Sequence, residues 1–168
     1  GESNGLITVK VTERGSSAVG DVVIVGESGA ITSASDAWTY IVEGNITSVL
    51  PVSGQTGTHV TVSGSALHGG GAEIVSATLA GVEAEVLSSS DETVIVGAGE
   101  SDALDAGNVV ITADTGAETS FVGGWTYVDP GVVSSVEPSI GQYGTLVQVR
   151  GEDLRGGGSS VAAVYLAG

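Results

Sequence analysis

Cysteine and methionine are both missing from the 168 residues. Their absence excludes disulfide frameworks, thiolate nucleophiles and zinc–thiolate sites, so stability must come from packing. Basic residues are almost as scarce: four Lys and Arg face twenty Asp and Glu, for a formal charge of −16. A partner bound through phosphates would meet a repulsive field, which argues against nucleic acid. No long apolar run is present either. The longest, such as "GDVVIVG", is far too short to cross a bilayer, so no membrane insertion is expected. No charged-apolar leader opens the chain, which leaves secretion undecided because a mature segment lacks one too. Three prolines and few good helix formers stand against 28 glycines, a balance that favours short strands joined by tight turns.

What the sequence does contain is itself, twice. At an offset of 87, Pro51 aligns with Pro138, Gly54 with Gly141, Gly57 with Gly144, Gly64 with Gly151, Leu67 with Leu154, and Gly69–Gly71 with Gly156–Gly158. The same shift aligns Gly20 with Gly107, Val22–Ile24 with Val109–Ile111, and the "WTY" at Trp38 with that at Trp125. Without a gap, 17 of 36 positions agree between residues 46–81 and 133–168, which rules out a chance origin and makes the repeat the first thing to explain. Residues 45–131 form one whole unit; residues 1–44 read as the back half of another and 132–168 as the front half of a third. Placed tail before head, the two halves lack only the six residues equivalent to "VEAEVL", about one strand.

Within the whole unit the apolar periodicity is that of strands. Val60 and Val62 alternate with Thr61 and Ser63, as Val147 and Val149 do with Gln148 and Arg150, the period-2 pattern of a half-buried strand. "AEIVSATLAG", "AEVLSSS", "ETVIVGAG", "GNVVITADTG" and "WTYV" follow at short intervals, each ending in turn residues. About seven short strands per unit predict an all-β sandwich. Trp125 and Tyr127 lie two apart on one strand and so share a face, where a ring is expected to plug the core; the tryptophans read as internal.

The pattern I-x-x-V-x-P-x-x-G-x-x-G-T-x-V-x-V-x-G-x-x-L, then "AG", "AGNVVITADTG" and a closing aromatic-x-Tyr, resembles the IPT/TIG family of immunoglobulin-like domains. The resemblance covers the middle unit entirely and the two ends as halves. Trp38 and Trp125 replace the Phe of the family's usual Phe-x-Tyr. The resemblance implies immunoglobulin-like sandwiches in tandem, as on extracellular receptors, microbial and algal surface proteins and polysaccharide-acting enzymes, and DNA contact in some transcription factors. A fold this widely used does not by itself define an activity.

The candidate chemical sites are few. "SALHGGG" and "DLRGGG" have the glycines of a phosphate cradle, but no Lys and no helix start follow, and they read as flexible hairpin loops. His59 and His68 become Leu146 and Arg155 at the offset, so they read as solvated side chains rather than a ligand pair. Glu100, Asp102 and Asp105 share the loop "GESDALDAG"; hard oxygen ligands on one loop suit calcium, whereas the lack of EF-hand spacing suits a plain solvated loop. No catalytic pair of carboxylates is set across a cleft, so an enzyme is not expected. Asn45-Ile46-Thr47 is a glycosylation sequon at the junction of the first two units, where a glycan would fit a surface protein.

A sandwich lacking half its strands exposes unpaired edges and apolar faces that something must cover. The expectation is therefore an extracellular or cell-surface structural module, partnered by itself head to tail in a linear array or fibril, its half domains completed by neighbouring copies or by the continuing chain. The alternative is an adhesive or carbohydrate-binding module with glycans as partners, for which Tyr143 and Tyr165 are the free aromatic candidates.

Overall fold

The computed structural model describes residues 2–3, 5–12, 14, 16–101 and 106–166. It divides into two compact units, Gly1–Glu43 and Gly44–Gly168. The described residues contain strands and turns and no helix.

The first unit holds the short pair β1 (Glu2–Ser3) and β2 (Leu6–Ile7) and the long antiparallel hairpin β3 (Ala18–Val25) and β4 (Ile31–Tyr40). Trp38 and Tyr40 meet edge to face at 5.9 Å, and the Arg14 guanidinium lies 5.3 Å from the centre of the Tyr40 ring.

The second unit begins with β5 (Asn45–Leu50), β6 (Ser53–Gly54), β7 (His59–Ser65), β8 (Ile74–Leu79), β9 (Val82–Ser89), β10 (Thr93–Gly97), β11 (Ala106–Ala113) and β12 (Glu118–Tyr127). Their hydrogen-bonded order is β5-β7-β10-β9-β8-β11-β12-β6. The ribbon folds over so that β12 lies against β5. One layer contributes Ile46, Val49, Val60, Val62, Val94 and Val96; the other contributes Ile74, Leu79, Val109, Ile111, Trp125 and Tyr127 to the same core. This is the all-β sandwich expected from the strand pattern, of the immunoglobulin-like kind that the family resemblance implies. Period-2 alternation sets it up: in β7, Val60 and Val62 are fully buried while Thr61 and Ser63 are not. At the β8–β9 turn, Ala80 and Gly81 both have positive φ, as a type I′ connection requires.

Three expectations need correction. The "SALHGGG" segment is not a hairpin loop, because β7 pairs with β5 and β10 whereas β8 pairs with β9 and β11, so the segment carries the chain from one layer to the other. His68 is not freely solvated: its backbone N–H donates to Asp91 Oδ1 at 3.0 Å and its ring Nε2 lies 3.2 Å from Ser89 Oγ. Both rings of the closing "WTY" enter the core, not one, meeting edge to face at 5.6 Å.

That packing leaves Trp125 Nε1 and Tyr127 OH buried with no hydrogen-bond partner among the described residues. A buried hydroxyl without a partner carries its desolvation penalty uncompensated. Tyr127→Phe should therefore raise the unfolding free energy by about 1 kcal/mol, read as a shifted denaturant midpoint at unchanged slope. Burial also pushes the Tyr127 phenol above its ordinary value of 10.0. Above pH 10 the unfolded chain thus releases this proton first and holds fewer protons than the native chain, so stability falls as pH rises. Tyr127→Phe should flatten that alkaline limb.

The second unit continues into β13 (Val132–Glu137), paired antiparallel with β14 (Gln148–Glu152). Residues 161–166 are not strand, although the equivalent residues at the offset form β8. β8 rests on ladders with β9 and β11, and no such neighbours flank 161–166 among the described residues.

Candidate functional site

The hairpin β3–β4 has the register of β11–β12 shifted by 87. Gly20 opposes Trp38 as Gly107 opposes Trp125, and Val22, Val23 and Ile24 face Ala34, Ser33 and Thr32 as Val109, Val110 and Ile111 face Phe121, Ser120 and Thr119. Both carry a bulge at the same place, after Gly20 and after Gly107. The bulge is held in the same way: Asp36 N–H donates to Asp21 Oδ1 at 3.0 Å, and Gly123 N–H donates to Asn108 Oδ1 at 3.1 Å. The hairpin β13–β14 likewise has the register of β5–β7: Val133 opposes Gly151 as Ile46 opposes Gly64, and Val136 opposes Val149 as Val49 opposes Val62.

Burial separates the pairs. Trp125 is fully enclosed while Trp38 is 44% exposed, and Ile111 is 1% exposed against 42% for Ile24. Ile46 is 4% exposed against 56% for Val133. The expectation of an internal Trp38 thus fails for a physical reason. The backbone of β4 presents its indole as β12 does, but the first unit holds, among its described residues, no strands equivalent to those that cover Trp125. Each flanking hairpin displays an apolar face of several large residues, which soluble proteins seldom leave bare.

A further joint ties the turn between β6 and β7 to the link between β12 and β13. Gln55 sits in a closed turn in which its N–H donates to Thr58 Oγ1 at 3.1 Å and Thr58 N–H donates to its carbonyl at 3.0 Å. Its half-buried side chain then accepts the N–H of Gly131 on Oε1 at 3.0 Å, across 76 residues of sequence. Gly156 lies close on the other side, where a Cβ would stand 3.3 Å from Gln55 Nε2, so this glycine loop packs on the amide. The short linker at 129–133 is therefore pinned to the domain before it. No sequence pattern marked Gln55; its recurrence as Gln142 at the offset was the available signal.

The remaining sequence candidates are dispersed. Asn45 is exposed at the start of β5, and Thr47 of the same sequon donates its hydroxyl to Ser63 O at 3.1 Å. Glu100 is exposed, and Asp102 and Asp105 lie outside the described residues. Among the described residues no three His, Asp or Glu side chains gather as a metal site. His59, Glu83, Glu85 and Leu87 border an open depression of about 440 Å³ beside β9 and β10. Tyr143 is fully exposed and Tyr165 largely so.

Comparison with known proteins adds three structural neighbours. An auxiliary nutrient binding protein from Bacteroides ovatus ATCC 8483 is 28% identical, with a TM-score of 0.43 over 55% of this chain and 22% of that one. One from Bacteroides thetaiotaomicron VPI-5482 is 19% identical, with a TM-score of 0.44 over 53% of this chain and 22% of that one. The full extracellular region of plexin A4 is 17% identical, with a TM-score of 0.50 over 76% of this chain and 11% of that one. The chain thus spans less than a quarter of each of these longer proteins. No curated protein matches the sequence. The family model for the IPT/TIG domain matches residues 45–127, the whole of β5 to β12. Residues 45–127, just under half of the chain, are thus recognised as an IPT/TIG domain.

Proposed function

We propose that the chain is a non-catalytic structural module of an extracellular or cell-surface protein, in which successive IPT/TIG units stack into a linear array or fibril. In this reading residues 1–44 and 132–168 are halves of further units, completed by neighbouring copies or by the continuing chain. One observation carries it: two hairpins repeat the registers of the central domain while exposing the side chains that the central domain buries. Covering such faces is favourable at about 25 cal/mol per Å² of apolar surface removed from water. A partner strand set with the apolar pattern of β5, β7 and β10 would cover β3–β4 as it covers β11–β12. The charge of −16 would hold neighbouring rods apart, and a glycan on Asn45 would add to that separation.

Light scattering across a concentration series should show self-association, and negative-stain images should show rods with a regular axial repeat. Ile24→Asp, which places a charge on the β3 face, should weaken association at least tenfold. Monodisperse single particles at every concentration would overturn completion by neighbouring copies.

The exposed rings of Tyr143 and Tyr165 favour a second reading, an adhesive or carbohydrate-binding module. A glycan array probed with the chain and with Tyr143→Ala and Tyr165→Ala tests it: signal lost in the variants supports it, and no binding by the parent chain retires it.

A further inference from the structure

The joint at Gln55 is present in this chain a second time, as two separate halves. Gln142 occupies a turn built like that of Gln55: its N–H donates to Thr145 Oγ1 at 3.0 Å, and Thr145 N–H donates back to its carbonyl at 3.0 Å. Its side-chain amide is exposed and has no partner among the described residues. Gly44 stands where Gly131 stands, and at both a backbone carbonyl stands in the way of a Cβ, joined at Gly44 by the Thr119 hydroxyl at 2.5 Å. A Cβ at Gly44 would press on the Ala66 carbonyl at 2.8 Å, and one at Gly131 would press on the Asp153 carbonyl at 2.5 Å. Ala66 and Asp153 also share a left-handed backbone, with φ of 50° and 49°. The Gly131 N–H is taken up by Gln55, whereas the Gly44 N–H has no partner among the described residues.

An acceptor and a donor, each preset by the packing that sets the completed pair, are thus left open on one chain. We infer that Gln142 of one copy accepts the Gly44 N–H of a second copy, repeating the Gln55–Gly131 joint between molecules. The inference rests on the array reading and deepens it, naming the partner as a second copy and the contact as one amide-to-backbone hydrogen bond. It also fixes polarity and spacing. The end of one copy bearing Gln142 meets the start of the next bearing Gly44, and every joint along the array has the same geometry. The loop Gly69–Gly71 of the second copy would then pack on the Gln142 amide, as Gly156 packs on Gln55.

Hydrogen exchange of the full chain, read at single amides below and above the assembling concentration, tests this. Assembly should slow exchange at Gly44 about tenfold, toward the rate of Gly131, which is slow at both concentrations. Gln142→Ala should abolish the slowing at Gly44 and leave Gly131 unchanged; Gln55→Ala should do the reverse. Gln142→Glu keeps an acceptor oxygen and should keep the slowing. Isotope-labelled Gln142→Ala mixed with excess unlabelled parent chain should regain a slow Gly44, because the acceptor then comes from another molecule. An assembled chain whose Gly44 exchanges fast overturns the joint and leaves the array standing. A Gly44 already slow in the dilute monomer, or not rescued by mixing, overturns the second copy as partner. A chain that never assembles overturns the joint together with completion by neighbouring copies.

Discussion

Trp125→Ala should lower the unfolding free energy by about 3–5 kcal/mol, the cost of emptying a large aromatic site in a core that cannot fully collapse. Against a total of about 5–15 kcal/mol for a domain of this class, that is a large share of the stability. The indole is fully enclosed, has the Tyr127 ring edge to face at 5.6 Å, and opposes Gly107, which leaves it room across the strand pair. Denaturant unfolding followed by circular dichroism measures the loss. Trp38→Ala is the internal control. Its ring has the same sequence context and the same register but is 44% exposed, so in the dilute chain its removal should cost much less. Equal losses at the two sites would contradict the burial difference on which the assembly argument stands.

Gly64→Ala should cost about 3 kcal/mol, at the upper end of overpacking, because the obstacle is backbone rather than a flexible side chain. A Cβ there would be driven into the Asn45 carbonyl oxygen and would meet Leu67 Cδ2 at 2.7 Å. Leu67 is fully buried and cannot yield, and Gly64 N–H is itself committed to Glu92 O at 2.9 Å. Relief therefore requires splaying β5 from β7, which uncovers Ile46 and Val49. Gly151→Ala makes the equivalent clash with the Val132 carbonyl and Leu154. There the flanking hairpin is exposed and can open locally, so a midpoint shift well under half that of Gly64→Ala is expected.

The strands of the central domain were legible because their signal is local. Valine alternation marks β7, apolar runs closed by glycine and serine mark β8 to β11, and the glycine framework identifies the family. The two-residue β6 escaped notice because it exists only through its parallel pairing with Thr126 and Tyr127, far along the chain. The first half of β12, from Glu118, was missed for a similar reason: "ETSFVGG" has poor strand character and is strand because β11 lies beside it. Burial was the least legible property. "WTY" occurs twice with one register, yet only one tryptophan is enclosed, since enclosure depends on which strands lie opposite. The Gln55 joint shows the same limit, being a contact between residues 76 positions apart whose chemistry looks unremarkable in a list of letters.

That joint has a consequence for how the material would behave in brine. Its bond runs from a carboxamide oxygen to a peptide N–H, so neither member titrates in ordinary waters and neither is screened by dissolved ions. The twenty carboxylates are different, because at high ionic strength their repulsion fades within a few ångströms. If copies assemble as proposed, rods pinned in this way would gather into bundles as salinity climbs while each keeps its stiffness, so that lateral spacing follows the ionic environment and axial geometry does not.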